Sequence, residues 1–271
     1  MLKTKGALTY DFSPLISASS FVLAAFLGRK GGISQSPYDS LNLCTRVGDK
    51  EENVEENKRT VGAAFNISPG NMVCVKQVHG DSIHLIDSED KKGYEKVEAD
   101  AIITNLKNVV IGILTADCVP VLIYDPVKRA SGAAHAGWKS AALGIASKTV
   151  KAMTDEFGSK PSDMLAAIGP GIGVCCYDVN IDVENEFRKK YKDASLYITV
   201  PPFSKGRSGG INDGHLDLKG MNLLDLKQAG LKEKNISLSG ICTSCKNDVF
   251  FSYRKDALIT GRQMSFIAIK G

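Results

Sequence analysis

A thiol and an imidazole stand at the two ends of one short apolar stretch of this sequence. Cys118 follows Asp117 and precedes an apolar run at 119–124, and His135 follows a second run at 131–134. The Asp-Pro after the first run and the Gly-Trp after the second indicate two short strands joined by a tight turn. An antiparallel pairing of these strands would bring Cys118 and His135 close together.

A thiol beside an imidazole permits two kinds of chemistry, a Cys–His nucleophile pair or two ligands of a metal such as zinc. A third ligand would favour the metal. The best candidate is His79, which follows the apolar alternation at 72–75 and precedes a glycine, so that we place it at a strand end. Three protein ligands, His79, Cys118 and His135, with the fourth position open are typical of a catalytic zinc site.

Seven short sequence motifs, three of which contain His79, Cys118 or His135, follow one another over nearly the whole chain. They are Gly-Gly-Ile-Ser (31–34), Lys-Gln-Val-His-Gly (76–80), Ala-Asp-Ala-Ile-Ile-Thr (99–104), Thr-Ala-Asp-Cys-Val-Pro-Val (115–121), His-Ala-Gly-Trp (135–138), Gly-Pro-Gly-Ile-Gly-Val-Cys-Cys-Tyr-Asp-Val (169–179), and Ser-Tyr-Arg-Lys-Asp (252–256) with Thr-Gly-Arg-Gln (260–263). Together they resemble the YfiH/YlmD family, also called the multicopper-polyphenol-oxidase laccase-domain family or peptidoglycan editing factor.

The residues themselves favour an α+β fold, because several strand runs cluster without regular βαβ alternation. The resemblance implies a four-layer α/β/β/α sandwich of mixed sheets, related to bacterial cysteine-deamidase toxins. It also implies a zinc enzyme that converts adenosine, inosine, guanosine and methylthioadenosine with phosphate into base and sugar 1-phosphate, and that deaminates adenosine. A zinc ion on the three ligands could lower the pKa of a bound water toward about 7, as deamination requires. Asp117 would carry the proton because it adjoins the ligand cysteine.

Four further residues are candidate substrate contacts. Arg59 lies where the family has an arginine on a helix, and Lys139 replaces the arginine of the family's Gly-Trp-Arg-Gly segment. Gly171 belongs to a Gly-Pro-Gly loop that lets the backbone come close to a ligand, although such loops are most often plain turns. Arg254 could bind phosphate or pair with an aspartate. Beyond these four residues, Arg262 could do either of the same two things.

Three other functions remain open. A copper-dependent polyphenol oxidase, with copper in place of zinc, would need more histidines than the four in this chain. A metal-free Cys118–His135 hydrolase, such as an amidase that edits peptidoglycan precursors, fits the pair but leaves His79 without a role. A non-catalytic binding module would not need a thiolate beside two histidines.

The seven cysteines predict reduced thiols in a cytosolic protein, because their number is odd and two are adjacent. Those two, Cys175 and Cys176, we assign to buried packing. Cys242 and Cys245 form a Cys-x-x-Cys segment, but no second such segment completes a zinc ribbon. The zinc-deaminase signature is excluded, because no histidine here begins a His-x-Glu segment.

Composition and charge limit the number of domains and the kinds of partner that this chain can have. The chain has 271 residues and no composition-biased linker, which predicts one domain over residues 1–271. A net charge of +4 without clustered Lys and Arg argues against a nucleic-acid partner. No apolar run is long enough to span a membrane, and Asp11 and Pro14 interrupt the first apolar stretch. We therefore expect a cytoplasmic protein, either a monomer or a homodimer. The resemblance implies an enzyme whose partners are purine nucleosides and phosphate.

Hydrophobic periodicity and turn residues predict the elements that must hold these side chains. Asp100, within the run 97–104, we assign as a turn carboxylate. A Gly-, Pro- and Ser-rich loop at 201–215 is a candidate mobile rim. The predicted helices are 51–65, 137–152, 183–191 and 217–229, and the predicted strands are 21–27, 97–104, 109–114, 119–124, 131–134, 165–168 and a closing pair at 250–253 and 262–269.

Overall fold

A computed structural model describes residues 2–88, 93–199 and 214–271 of the chain. The predicted loop at 201–215 lies outside these ranges except for its last two residues. Within the three ranges, no helix is both long and apolar enough to cross a membrane.

Strands and helices alternate irregularly along the chain, as expected for an α+β protein. The strands are β1 (Lys3–Lys5), β2 (Leu8–Asp11), β3 (Val22–Leu27), β4 (Met72–Val73), β5 (Ile83–Leu85), β6 (Ala101–Thr104), β7 (Val110–Thr115), β8 (Val119–Asp125), β9 (Ala130–Ala136), β10 (Leu165–Ile168), β11 (Asp178–Val179), β12 (Ile198–Thr199), β13 (Gly214–Leu216), β14 (Ile236–Leu238) and β15 (Gln263–Ile269). The α-helices are α1 (Pro14–Ser17), α2 (Glu51–Phe65), α3 (Trp138–Ala142), α4 (Ile145–Phe157), α5 (Ile181–Lys190) and α6 (Leu218–Gln228).

Two six-stranded mixed sheets form the body of the protein. The first has the order β1-β2-β3-β15-β7-β4, and the second has the order β14-β10-β8-β9-β6-β5. Most neighbours are antiparallel, but β4 with β7, β5 with β6 and β10 with β14 are parallel. A small third sheet has the order β11-β13-β12.

Among the described residues, three apolar cores separate four layers. Between the two sheets, Ile113 and Ile267 of the first sheet pack with Leu122 of the second. On the outer face of the first sheet, Val61 and other apolar residues of α2 are buried. The outer face of the second sheet is covered by α4, which buries Val150 among others, and by α6. This arrangement confirms the predicted α/β/β/α sandwich.

The predicted hairpin is confirmed and is the centre of the second sheet. β8 and β9 pair antiparallel, with Pro120 opposite His135. Every residue of both strands is buried, because helices cover one face and the other sheet covers the opposite face. Continuous apolar runs rather than alternating ones are what such doubly covered strands require.

Some predicted elements match the structure and others need correction. The helix at Glu51–Phe65 and the strand at Leu165–Ile168 are confirmed with the predicted bounds. The predicted helix 137–152 is wrong as a single element, because Gly144 has φ +77° and separates α3 from α4.

The closing strand pair is half correct. β15 forms at Gln263–Ile269, but residues 250–253 are not a strand. The side chain of Gln263 takes the place of a strand partner, since its oxygen accepts the Phe251 amide at 2.7 Å and its nitrogen donates to the Phe251 carbonyl at 3.3 Å. The predicted strand 97–104 also shortens to Ala101–Thr104, and the residues before it form the loop that carries Asp100.

Candidate metal centre

The three predicted ligands meet at one end of the sandwich, where the chain crosses twice between the sheets. Residues 116–118 lead from β7 in the first sheet to β8 in the second, and they carry Cys118. The loop after β4 leads to β5 in the second sheet, and it carries His79. His135 is the penultimate residue of β9, opposite the start of β8.

The ligand atoms of these residues lie close enough to share one ion. His79 Nε2 is 3.8 Å from Cys118 Sγ, the two imidazole rings have centroids 4.7 Å apart, and one ligand atom from each residue lies within 4.8 Å of the others. His135 is buried, Cys118 half-buried and His79 exposed. The prediction that His79 stands at a strand end is wrong, because β4 ends at Val73 and His79 sits in the following loop with φ +60°.

Asp100 bonds to the ring of His135 and to the backbone of the loop that carries His79. Its Oδ1 lies 2.7 Å from His135 Nδ1 and accepts the His79 amide at 3.0 Å, while Oδ2 accepts the Val78 and Gly80 amides at 3.2 and 2.6 Å. The carboxylate is fully buried. A bond at Nδ1 leaves His135 Nε2 for a ligand, which is how carboxylates orient metal-binding histidines. The predicted turn role of Asp100 is therefore only part of its function in the fold.

The electrostatics of the cluster favour ionised Cys118. Burial alone would raise the pKa of its thiol, but the charge and hydrogen bond of His135, helped by His79, lower it to about 6. Burial likewise opposes protonation of His135, yet the Cys118 thiolate and the Asp100 carboxylate raise its pKa to about 9. Burial also disfavours charged Asp100, but bonding to His135 and to the loop amides keeps its pKa below the usual value.

Gly137 leaves the space that this convergence needs. A Cβ at this position would lie 2.7 Å from His79 Cδ2 and 3.1 Å from Cys118 Sγ. The backbone there has φ −66°, which any residue can adopt, so the requirement for glycine is one of space. Two imidazole nitrogens and one thiolate around this point form a donor set that accepts zinc or copper.

Among the described residues, two neighbouring clefts are lined by residues of the cluster. The first, the cationic cleft, has a volume of about 500 Å³ and is lined by the cluster together with Arg46 and Arg262. No carboxylate is among its lining residues in the described ranges. The Arg46 guanidinium donates to the Glu95 and Val75 carbonyls. The Arg262 side chain donates to the Thr260 and Gly261 carbonyls.

The second cleft, the aromatic cleft, has a volume of about 230 Å³. Trp138, Tyr177 and Tyr253 line it together with Arg254 and Cys118. Flat apolar side chains with a few polar groups are typical of a small-molecule site that holds an aromatic ring. The candidate metal centre therefore lies between a cleft suited to an anion and a cleft suited to a flat ring.

Comparison with known proteins identifies the family. The family model for the multi-copper polyphenol oxidoreductase laccase matches residues 23–270. This chain belongs to the laccase-domain, or YfiH/YlmD, family. The purine nucleoside phosphorylase YlmD of Bacillus subtilis is 38% identical over 92% of this chain and 89% of its own length.

Solved structures of laccase-domain proteins match the whole fold. The crystal structure of the Bacillus licheniformis hypothetical protein YfiH has a TM-score of 0.90 and 33% identity, and covers 99% of each chain. YlmD from Geobacillus stearothermophilus has a TM-score of 0.87 and 32% identity, covering 100% of this chain and 99% of its own.

The structure places Asp117 beside the centre, but with both carboxylate oxygens engaged. Oδ1 accepts the Thr243 hydroxyl at 2.6 Å, and Oδ2 accepts the Arg254 amide at 2.7 Å. Asp117 is buried and has φ +87°. These contacts favour a positioning role over proton transfer, because the carboxylate ties the crossing loop to the segment that carries Tyr253 and Arg254.

The four predicted substrate contacts fall into two groups in this laccase-domain chain. Arg254 lines the aromatic cleft, although its guanidinium also pairs with Asp178. Lys139 is exposed beside that cleft, with its ammonium 5.5 Å from the Trp138 ring.

Arg59 and Gly171 line neither cleft. Arg59 lies on the exposed side of α2 and pairs with Glu56 at 2.8 Å. Gly171 is buried against β8, where its carbonyl accepts the Thr243 amide at 3.1 Å and a Cβ would come 2.8 Å from Val119 Cγ2. The structure thus brings neither residue to the centre.

Two residues of the site carried little signal in the sequence. Gln77 binds the backbone of Leu114 twice, through Nε2 to the carbonyl and through Oε1 to the amide, each at 2.8 Å. These bonds attach the loop of His79 to β7. Arg46, in the cationic cleft, lies in no quoted motif. The Gln-x-His spacing could have indicated Gln77, but nothing local indicated Arg46.

A second group of potential ligands lies outside the centre. The thiols of Cys175, Cys176, Cys242 and Cys245 all lie within 4.8 Å of one another. The assignment of Cys175 and Cys176 to buried packing is wrong, because Cys175 is exposed and Cys176 half-buried.

Proposed function

We propose that this protein is a zinc-dependent purine nucleoside phosphorylase that also deaminates adenosine. The observation that supports this most strongly is the meeting of His79, Cys118 and His135 at the junction of the cationic and aromatic clefts. The name of the Bacillus subtilis relative points the same way. A zinc ion on these three ligands would keep a fourth position for a substrate oxygen and act there as a Lewis acid.

The cationic cleft supplies the charge that phosphate needs. Arg46 and Arg262 present guanidinium groups without a described carboxylate partner, and guanidinium groups bind phosphate through paired N–H donors. Their position beside the ligand cluster would hold hydrogenphosphate next to the sugar of a nucleoside. Positioning of this kind turns a bimolecular reaction into one between bound partners.

The aromatic cleft suits the purine base. Trp138, Tyr177 and Tyr253 offer ring faces on which a purine can stack. In phosphorolysis a phosphate oxygen attacks C1′ of the sugar, and the bond from C1′ to the base nitrogen breaks with its electron pair going to the base. The proton of hydrogenphosphate ends on the base, so that free base and sugar 1-phosphate are formed. In deamination water adds at C6 of adenine and ammonia leaves, which gives inosine.

Base release from inosine and adenosine, with and without phosphate, tests this function. We expect release that depends on phosphate, and ammonia from adenosine in its absence. His79→Ala should reduce the rates of base release and of ammonia release by more than about 100-fold. This loss is larger than the loss expected when a residue that only orients a metal ligand is replaced. The control is His84→Ala, because His84 lies on β5 with its ring edge-to-face against Tyr94. Phosphate-independent cleavage, or full activity in His79→Ala, would reject the proposal.

One observation favours a second candidate function. Asp100, His135 and Cys118 form a carboxylate–imidazole–thiol chain with a lowered thiol pKa, which is the arrangement of a thiol hydrolase. That reading predicts a protein without bound metal that is alkylated selectively at Cys118 and is indifferent to chelators. Peptidoglycan precursors would be the substrates to test.

A further inference from the structure

Four cysteines from two distant parts of the chain meet beside the aromatic cleft. Cys175 and Cys176 lie in the loop between β10 and β11, and Cys242 and Cys245 lie in the segment after β14. Cys245 Sγ is 3.5 Å from Cys175 Sγ and 3.4 Å from Cys176 Sγ. All four sulfurs lie within 4.8 Å of one another.

These separations suit four ligands of one ion. A tetrahedral zinc ion bonded to four sulfurs at about 2.3 Å holds them roughly 3.8 Å apart. Cys245 Sγ already lies near that spacing from the sulfurs of Cys175 and Cys176, and a covalent S–S bond would need about 2.05 Å. Four thiols around one point also differ from two separate disulfides, since Cys245 is nearly equidistant from Cys175 and Cys176.

The backbone around Cys242 is arranged to stabilise a thiolate. The amides of Gly173, at 3.2 Å, and of Cys245 donate hydrogen bonds to Cys242 Sγ. The first comes from the opposite loop, which also pairs through Gly171 as an isolated β-bridge to Cys242. Amide N–H groups that donate to a thiolate offset part of its negative charge. Hydrogen bonds from neighbouring groups act on other metal ligands in the same way.

Glycine and a buried lysine complete this environment. A Cβ on Gly173 would lie 3.0 Å from Cys242 Cβ and 3.3 Å from Cys175 Sγ, so a larger residue would press the two loops apart. The Lys219 ammonium donates to the Ser239 and Ile241 carbonyls and interacts electrostatically with Cys242 and Cys175. Its positive charge offsets part of the net −2 of four thiolates around a divalent cation.

We propose that Cys175, Cys176, Cys242 and Cys245 bind a second zinc ion, distinct from the centre of His79, Cys118 and His135. Each thiol that coordinates loses its proton to solvent. With four protein ligands the site is closed, as structural zinc sites are. The ion crosslinks the loop that carries Tyr177 to the segment that carries Thr243, Tyr253 and Arg254. It thereby fixes the relative positions of residues that line the aromatic cleft. This proposal does not depend on the proposed reaction.

Zinc content per chain, measured by elemental analysis of protein purified with reductant, tests the site. We expect about two zinc ions in the wild type and one in Cys118→Ser, a variant that leaves the four cysteines untouched. Cys245→Ser should lose the other ion and unfold at a lower temperature. Cys74→Ser is the control, because this free cysteine lies away from both groups against Met264.

Substitution by cobalt(II) gives a second readout that does not require folding of Cys245→Ser. The Cys118→Ser protein loaded with cobalt should show intense thiolate-to-cobalt charge transfer from four sulfurs. Its four cluster thiols should resist a thiol reagent until the metal is removed. The proposal would be overturned if the purified Cys118→Ser protein held no metal and its four cluster thiols reacted freely with the reagent. It would also be overturned if the mass of that protein showed the loss of two hydrogens for each disulfide formed among the four cysteines.

Discussion

The two groups of ligands in this protein differ in number, in donor type and in what surrounds them. His79, Cys118 and His135 supply three donors of two kinds between two open clefts. The four cysteines supply donors of one kind, and the loops that carry them are joined by backbone hydrogen bonds. Three ligands leave room for a substrate, whereas four close the coordination sphere.

The supporting contacts follow the same division. In the first group, the buried carboxylate of Asp100 bonds to the His135 ring and accepts the backbone amide of His79. In the second group, amide N–H groups from Gly173 and Cys245 surround a thiolate. One arrangement orients ligands toward a cleft and the other fastens two loops, so perturbations of the two should have separate effects.

Asp100→Asn is expected to give the largest difference between the two groups of ligands in their metal affinity. The side-chain amide of the new asparagine has one oxygen that accepts hydrogen bonds and one NH2 group that only donates them. Because the loop presents N–H donors to this side chain, the NH2 group would face donors and the side chain would no longer fix the His135 ring. We expect metal affinity at the three-ligand centre to fall by about 10–100-fold. Competition with a chelator measures this, and the four-cysteine site should keep its ion.

Asp125→Asn is the matched control for that measurement. Asp125 is a buried carboxylate at the other end of the same hairpin, where it accepts the Val127 and Lys128 amides. Its replacement should lower the free energy of unfolding without a change in metal affinity. Equal losses of affinity in both variants would show that Asp100 acts only through stability.

A somewhat smaller effect is expected from Gly137→Ala. The added methyl group would press on His79 and Cys118 and spread the ligands, and overpacking of this kind costs about 1–3 kcal/mol. Metal affinity and base release should fall together, while the four-cysteine ion stays bound. Gly80→Ala is the control, because its Cβ would make only ordinary contacts, the nearest at 3.6 Å from Asp100. Unchanged metal binding in Gly137→Ala would contradict the geometry of the centre.

The smallest effect is expected from Arg262→Gln, which alters the cationic cleft and neither group of ligands. Loss of one charge-assisted contact should raise the KM for phosphate by about tenfold or more. Both metal ions should remain. Arg59→Gln should leave that KM unchanged, since Arg59 lies on the exposed side of α2. A steady-state titration of phosphate at saturating inosine measures both variants.

The sequence indicated the three-ligand centre because its signals are local. Apolar runs flanked by turn residues predicted the β8–β9 hairpin, and the hairpin places Cys118 near His135. The helix at Glu51–Phe65 was predictable for the same reason, from its apolar spacing. The break at Gly144 was not, because an isolated glycine is tolerated within many helices.

The contacts that cross between distant segments left no local signal. Asp100 resembles any carboxylate before a strand, and its role emerges only when β6 pairs with β9. The four cysteines come together through pairing of two loops about 70 residues apart, as the bond between Gly173 and Cys242 shows. Spacing along the chain does not encode such a pairing, so Cys175 and Cys176 resembled ordinary buried thiols.

Stepwise removal of metal tests the central claim most directly. Phosphate-dependent base release from inosine and bound zinc are measured together as a chelator is added to the wild-type protein. We expect activity to fall in proportion to the loss of about one zinc ion per chain from the open, three-ligand centre, and to return when zinc is restored. Full phosphate-dependent activity in protein that retains no metal at His79, Cys118 and His135 would contradict the account.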